Sequence, residues 1–153
     1  MEHDYRAIAT RVYDAFNRND GAALEALFAP DFVEHEEFAG VSGVGLDTAK
    51  AFATAFHIGF PDFQMRLLDV IGEGGRACAW YRLTGTHWGE FAGIAATGRS
   101  VDIQGFDWVT VNDEGLITEH WGVSQELAMM TQLGLIPDQP VSTIDLTEQT
   151  ARA

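Results

Sequence analysis

A single carboxylate, that of Asp107, interrupts an otherwise apolar face of a predicted β-strand. Between 101 and 111, aliphatic residues occupy alternate positions, which is typical of a strand with one buried face, and Asp107 belongs to the same alternate set. A carboxylate that loses its hydration has a raised pKa, which suits a general base near neutral pH. If Phe106 and Trp108 form the buried face instead, Asp107 is solvated, and a β-bulge near Gly105 would exchange the two faces.

Two histidines add candidate acid–base groups. His120 lies on the last predicted strand, where a neutral imidazole near its unperturbed pKa can accept or donate a proton. His35 lies in the first predicted strand, and acidic neighbours would raise its pKa: Glu34, Glu36 and Glu37. Both histidines could instead be structural or solvated. Because His35, His87 and His120 lack the spacing of helical metal ligands, no metal site is predicted.

The composition excludes several classes of partner. The 153-residue chain carries a formal net charge of −14, whereas nucleic acids and anionic membranes require a basic surface. Hydrophobic residues make up 46%, enough for a sizeable core, and no apolar run is long enough for a membrane span. Cys78 is the only cysteine, which excludes an intrachain disulfide and a cysteine-based metal site. Because the N-terminus lacks a signal or transit pattern, the cytoplasm is the expected compartment.

The first part of the chain predicts helices. Apolar residues recur at helical spacing from Tyr5 to Phe16, and the Asn-Asp-Gly sequence at 19–21 ends that helix. A short second helix is predicted to end at Pro30, followed by a short strand over 32–37. Asp47 is the predicted N-cap of a third helix.

The remainder predicts long strands joined by hairpins, and then one helix. Turn sequences at 72–75 and 112–115 separate runs of alternating hydrophobicity. The predicted strands start at Phe63, Arg76, Val101 and Leu116, and the helix covers 125–133. Helices followed by hairpins indicate an α+β domain. A curved antiparallel sheet wrapped around the N-terminal helices would enclose an apolar pocket at its open end.

Several short motifs, in order, resemble the SnoaL-like polyketide cyclases. Each motif is weak alone, but their order and spacing together are specific, from about Tyr5 to Gly134. They are Gly85-Thr86-His87, Gly89-Glu90-Phe91, Thr97-Gly98-Arg99, Ile117-Thr118-Glu119-His120-Trp121 and Gln132-Leu133-Gly134. The resemblance implies an NTF2-like (ketosteroid-isomerase-like) cone over 1–136, with 137–153 as a polar tail.

The resemblance also implies an activity. SnoaL-like proteins perform cofactor-independent acid–base chemistry on carbon skeletons and commonly form oligomers. A homodimer through the open sheet, or a higher homo-oligomer, is therefore expected. The predicted function is therefore cyclisation or isomerisation of a largely apolar, polyketide-like metabolite, with no cofactor. Two alternatives are a hydroxylase or epoxide-hydrolase-type enzyme, pairing Asp107 with Arg82 or His120, and a module that binds a small ligand without catalysis.

One departure from the family pattern bears directly on mechanism. The catalytic aspartate of the resembled aldol cyclases falls on Gly122, and glycine cannot abstract a proton. If the turn from Asn112 to Gly115 carries one extra residue, Asp107 falls where those cyclases have a partnering histidine. Looser relatives have an aspartate where this chain has Gln125. The sequence therefore predicts Asp107 as the base, with His120 and His35 as acid, base or orienting groups.

Further residues are predicted to contact substrate. Phe16 and Phe52 lie where the resembled cyclases have pocket-wall residues. Other candidates for the substrate-binding wall are Trp80, Trp108, His87, Gln125 and Met129. Aromatic and methionine side chains are more often plain core, and His87 is interpreted mainly as a residue that holds the loop after it.

Overall fold

Three helices precede the four long strands along the chain, as the α+β prediction requires, and only the short first strand lies among them. A computed structural model describes residues 3–36 and 43–138. Its elements are α1 (Tyr5–Asn17), α2 (Gly21–Glu25), β1 (Phe28–Glu34), α3 (Leu46–Gly59), β2 (Gln64–Glu73), β3 (Arg76–Thr86), β4 (Ser100–Val111), β5 (Ile117–Ser124) and α4 (Glu126–Gln132). The α+β class is confirmed, whereas the predicted tail lies almost wholly outside the described residues.

The strands form one five-stranded sheet in the order β1-β5-β4-β3-β2. The four long strands pair antiparallel through successive hairpins, as predicted. The edge strand β1 instead runs parallel to β5, with Val33 opposite Glu119 and Glu34 opposite His120. The sheet is therefore mixed, and its parallel edge brings the first strand of the chain beside the last.

The first strand begins earlier than the sequence predicted. Helix α2 ends at Glu25, and β1 starts at Phe28 and contains Pro30. Proline is compatible with this strand because β1 lies at the sheet edge, where one row of backbone donors has no strand partner. Part of the predicted strand, residue 37, lies outside the described residues.

The start of α3 differs in detail from the prediction. Gly45, not Asp47, is the N-cap, and no side chain caps the helix. Asp47 lies in the first turn, where a carboxylate interacts favourably with the helix dipole.

The long N-terminal helix packs against the concave face of the sheet. Asp4 caps α1 by accepting a 2.9 Å hydrogen bond from the amide of Ala7. The buried side of α1 includes Tyr5, Val12 and Tyr13. Together with α3 and the inward residues of the sheet, α1 forms the apolar interior of the domain.

Strand β4 shows which residues face that interior. Val101 and Ile103 are buried, whereas Phe106 and Trp108 are 48% and 44% exposed. The pairing with β3 is regular from Ser100 to Thr110, so no bulge near Gly105 exchanges the faces. Gly105 faces inward, where a Cβ atom would lie 2.3 Å from the Tyr81 hydroxyl, so no larger residue fits without displacing that tyrosine.

Candidate active site

The interior contains a mostly apolar cavity between α1, α3 and the concave face of the sheet. The cavity volume is about 80 Å³, so side chains do not fill it. Since one buried water needs roughly 10–15 Å³, the cavity has room for a small ligand. Its apolar walls include Ile8, Val12, Phe16, Phe52, Phe56 and Met65.

One end of the cavity carries a chain of hydrogen bonds. The Tyr13 hydroxyl donates to Oδ2 of Asp107 at 2.7 Å. Nε2 of His120 lies 3.2 Å from Oδ1 of Asp107, and Nδ1 of His120 lies 2.7 Å from Oε1 of Glu34. Both ring nitrogens of His120 therefore face carboxylates, and both oxygens of Asp107 already accept a hydrogen bond.

This arrangement favours a charged imidazole. Burial alone lowers the pKa of His120, but the hydrogen bonds and negative charges of Asp107 and Glu34 outweigh it and raise that pKa to about 10. Burial, followed by the charge of Asp107, raises the pKa of the Tyr13 phenol. At neutral pH this hydrogen-bonded chain therefore contains a protonated tyrosine, Tyr13, and an imidazolium, that of His120, which lies between two carboxyl groups.

A further carboxyl group, that of Glu36, lies just after β1 and lines the cavity. Burial raises the pKa of Glu36 to about 7, although the charge of His120 opposes this rise. One carboxylate oxygen of Glu36 is 4.0 Å from Nδ1 of His120. Among the residues described, none donates a hydrogen bond to this carboxylate. Glu36 is therefore a group that can gain or lose a proton near neutral pH.

A second tyrosine, Tyr81 on β3, lines the same end of the cavity together with Ser124. Its ring meets that of Tyr13 edge-on, with centroids 5.9 Å apart. Burial, and then the negative charge of Asp107, raises the pKa of Tyr81, which keeps the phenol protonated. Tyr81 can therefore present an O–H group to a ligand.

The structure brings together four of the predicted site residues. Asp107 and His120 lie at the polar end, and Phe16 and Phe52 form part of the apolar wall. Their position in one cavity is a structural finding, whereas their roles in catalysis and binding stay predictions.

Three other predicted residues project from the opposite, convex face of the sheet. Trp80 and Trp108 are 40% and 44% exposed, because strand alternation directs them away from Tyr81 and Asp107. His35 also faces outward: its ring stacks on Trp121 at 4.1 Å, and its Nε2 lies 2.9 Å from Glu119. None of the three lines the cavity, which corrects the predicted wall and the predicted role of His35.

The last three predicted residues also lie elsewhere. His87 is fully buried, stacks on Phe60, and accepts a 3.3 Å hydrogen bond from the amide of Thr97, so it holds the loop after β3. Gln125 is exposed and accepts a hydrogen bond from the amide of Gln104. Met129 is buried and lines a separate hollow beside α4. The predicted partner Arg82 is committed to Asp102 on the outer face.

Sequence reasoning missed four polar residues of the site. Tyr13 was interpreted only as part of an apolar helix stripe, and Tyr81 was not distinguished from the strand core. Glu34 and Glu36 were treated as neighbours of His35, although alternation directs residues 34 and 36 to the face opposite residue 35. That alternation was the available signal for the two acids.

Glu34, Glu36 and His120 are also the residues that could hold a cation. Their ligand atoms lie within 4.8 Å of one another. In the geometry described, however, the imidazole is hydrogen-bonded to Glu34 rather than turned to offer a lone pair. A proton on His120 therefore supplies the positive charge that these acids require.

These features define an NTF2-like α+β domain, a cone with an apolar cavity that carries acid–base groups at one end. The family model of the SnoaL-like polyketide cyclases matches residues 7–133. The chain therefore belongs to the SnoaL-like polyketide cyclase family. No curated protein matches the sequence significantly. In the described part of the chain, no helix has the length and apolar character needed to cross a membrane.

Solved structures agree with this assignment. The fold is similar to that of TsrD from Streptomyces laurentii, at 24% identity and a TM-score of 0.79 over 88% of this chain and 100% of that chain. AclR from Streptomyces galilaeus, a candidate hydroxylase, is 26% identical with a TM-score of 0.76, covering 96% and 91%. IdmH from Streptomyces antibioticus, a candidate polyketide cyclase, is 29% identical with a TM-score of 0.75, covering 86% and 99%.

Proposed function

We propose that the protein is an enzyme that cyclises or isomerises a small, largely apolar, polyketide-like metabolite by proton transfer without a cofactor. The observation that carries the proposal is the hydrogen-bonded chain from Tyr13 through Asp107 and His120 to Glu34 at the end of an apolar cavity. Membership of the SnoaL-like family supports a cyclase-type activity. The similarity to IdmH supports a polyketide-like substrate.

Each part of the site has a role in this proposal. Tyr81 donates a hydrogen bond to a carbonyl oxygen of the substrate. A base removes a proton from the adjacent carbon, and the C–H electron pair moves into an enolate whose oxygen keeps the hydrogen bond. The His120 imidazolium stabilises this negative charge in a cavity that excludes most water. Asp107 and His120 share a hydrogen bond through which a proton can pass, and Tyr13 fixes the orientation of Asp107.

A hydroxylase activity is the second candidate, favoured by the similarity to AclR. It would add oxygen to the substrate, which cyclisation and isomerisation do not. Because Arg82 pairs with Asp102 outside the cavity, only His120 remains as the partner predicted for Asp107. Mass spectrometry of product formed in ¹⁸O-labelled water or under ¹⁸O₂ separates this activity from the leading proposal.

The proposal includes a homodimer located in the cytoplasm. The convex face of the sheet carries an outer patch of large apolar side chains, each at least 39% exposed: Trp80, Phe106, Trp108, Trp121 and Val123. Cross-strand pairing makes this patch continuous from β3 to β5. Continuous exposed apolar surface is typical of protein interfaces, so a second copy of the chain is the proposed occupant.

The experiment uses 2-tetralone, an apolar bicyclic ketone whose C–H bonds next to the carbonyl are acidic. The protein in D₂O should accelerate exchange of these hydrogens for deuterium, followed by proton NMR. We expect Tyr81→Phe to slow exchange by about 100-fold to 1,000-fold through loss of the oxyanion donor. A wild-type rate no higher than that of buffer would refute the proposal.

A further inference from the structure

The carboxyl group of Glu36 occupies the space of an absent side chain. A Cβ atom added to Gly122 would lie 2.1 Å from Oε2 of Glu36 and 2.5 Å from its Cδ. These separations are far below van der Waals contact, so the two positions compete for one volume. Gly122 on β5 has no side chain, and the carboxylate of Glu36 occupies the space that a side chain at this position would take.

The parallel pairing of β1 with β5 explains how Glu36 reaches this place. Glu34 is opposite His120, and the amide of His35 donates a 3.0 Å hydrogen bond to the carbonyl of His120. Glu36 follows Glu34 by two residues, and Gly122 follows His120 by two residues. Because side chains alternate along extended backbone, both positions are on the same inward face as Glu34 and His120. The register therefore aims the Glu36 side chain over Gly122 and towards the cavity.

Glu36 differs from the other two acids at this end of the cavity. Asp107 accepts hydrogen bonds from Tyr13 and His120, and Glu34 accepts from His120 and from the amide of Glu36. Within residues 3–36 and 43–138, no donor is bonded to the Glu36 carboxylate. Its side chain is only 14% exposed and lines the cavity. Burial also raises its pKa, so it exchanges protons readily near neutral pH.

We propose that Glu36 is the catalytic group that removes and returns the carbon-bound proton of the substrate, from the place that a side chain at position 122 would occupy. The inference rests on the proposed function and names the base in it. The proton passes from the substrate carbon to a Glu36 oxygen, and the C–H electron pair enters the enolate. The same proton, or one exchanged with solvent, then returns to carbon, so no oxidant or further reactant is needed.

The first test transplants the carboxyl group from one strand to the other. Glu36→Gln should slow deuterium exchange into 2-tetralone by at least about 100-fold, the lower range of general acid–base effects. The double variant Glu36→Ala/Gly122→Asp has room for the new side chain and returns a carboxyl group to this volume. It should exchange faster than its uncharged match, Glu36→Ala/Gly122→Asn, by at least about 10-fold.

Two controls separate this effect from a loss of fold or charge. Glu119→Gln removes an acid that lies on β5 but faces outward, and it should leave the exchange rate within about twofold, because distant surface changes perturb little. Circular dichroism of each variant checks that the fold is retained. If the wild type catalyses exchange and Glu36→Gln does so at a similar rate, the inference is overturned and the proposed function stands. Exchange absent from the wild type would overturn both.

A second test needs no substrate. Carbon-13 NMR of glutamate-labelled protein, with the Glu36 signal assigned from Glu36→Gln, follows the carboxyl carbon as the pH is raised. We expect a midpoint near 7, well above an ordinary glutamate. A midpoint near 4.5 would overturn the assignment of Glu36 as the proton-transfer group, whatever the exchange rates show.

Discussion

The Tyr13 hydroxyl lies 2.7 Å from Oδ2 of Asp107 and donates to it across 94 positions of sequence, joining α1 to β4 inside the cavity. This bond fixes one oxygen of Asp107, while His120 takes the other. Asp107 is therefore held at both oxygens, and its hydrogen bond and charge raise the pKa of His120.

Tyr13→Phe removes one hydrogen bond to a charged group inside the domain. Because such bonds contribute about 1.5–3 kcal/mol, we expect the free energy of unfolding to fall by that amount in urea titrations at pH 7. Thr10→Val is a suitable comparison, because the Thr10 hydroxyl donates to the carbonyl of Arg6 on the exposed side of α1. Its removal should lower the free energy of unfolding by less than about 1 kcal/mol. Equal losses in the two variants would contradict the importance given to the Tyr13–Asp107 bond.

His120→Ala removes the positive charge from between the acids. The remaining buried carboxylates are then uncompensated, which costs about 3–5 kcal/mol of stability at pH 7. The loss should be largest below about pH 6.5 and should shrink as the pH rises towards 10, because the folded protein then releases the His120 proton. As a control, His35→Ala breaks an exposed histidine–carboxylate pair with Glu119 and should cost at most about 1 kcal/mol. A pH-independent loss in His120→Ala would argue against the imidazolium.

Stability should fall as the pH rises from about 4.5 to about 10. Both Glu36, raised from 4.5 to about 7, and His120, raised from 6.5 to about 10, have higher pKa values folded than unfolded. The folded state therefore holds protons that the unfolded chain has released, and this stabilisation is lost first through Glu36 and then through His120.

Glu36→Gln isolates the first of these two steps. The variant cannot ionise at position 36. Between pH 4.5 and pH 8, its free energy of unfolding should therefore rise by up to about 3 kcal/mol relative to that of the wild type. Urea unfolding at several pH values measures this difference. Glu119→Gln should show no such trend, and a Glu36→Gln curve parallel to that of the wild type would contradict the raised pKa.

The outer patch should hold two copies of the chain together. Trp108→Glu places a charge at its centre, opposite Trp121, and should convert the dimer to monomer in sedimentation or light-scattering measurements. Glu73→Gln, at the far end of β2, is a control that should leave the assembly unchanged. A wild-type protein that is monomeric at high micromolar concentration would contradict the proposed dimer.

Local patterns predicted much of this architecture. Alternation in β4 placed Asp107 on the inner face, and the turn sequences at 72–75 and 112–115 located the hairpins. Alternation also made the predictions for Asp107 and Trp108 incompatible, since neighbours in a regular strand face opposite sides. The aromatic character of Trp108 suggested a pocket wall, but hydrophobicity alone does not determine which face of a sheet is buried.

The position of Glu36 could not be predicted from local pattern. It depends on β1 pairing parallel with β5, a contact between distant segments that no short-range signal specifies. The first strand was also expected to begin at residue 32 rather than Phe28, because Pro30 suggests a break in most contexts. The sequence shows that residue 122 is a glycine, whereas the closeness of the Glu36 carboxyl group to that position follows only from the pairing of the two strands.

The outward orientation of the tryptophans has a practical consequence for spectroscopy. All four, Trp80, Trp88, Trp108 and Trp121, are at least 39% exposed and none lines the cavity, whose aromatic walls are phenylalanine and tyrosine. Emission excited at the indole band therefore reports on the exposed surface, including the outer patch, and quenching by acrylamide should respond to self-association. Filling of the hollow is better followed through the phenol absorbance of Tyr13 and Tyr81.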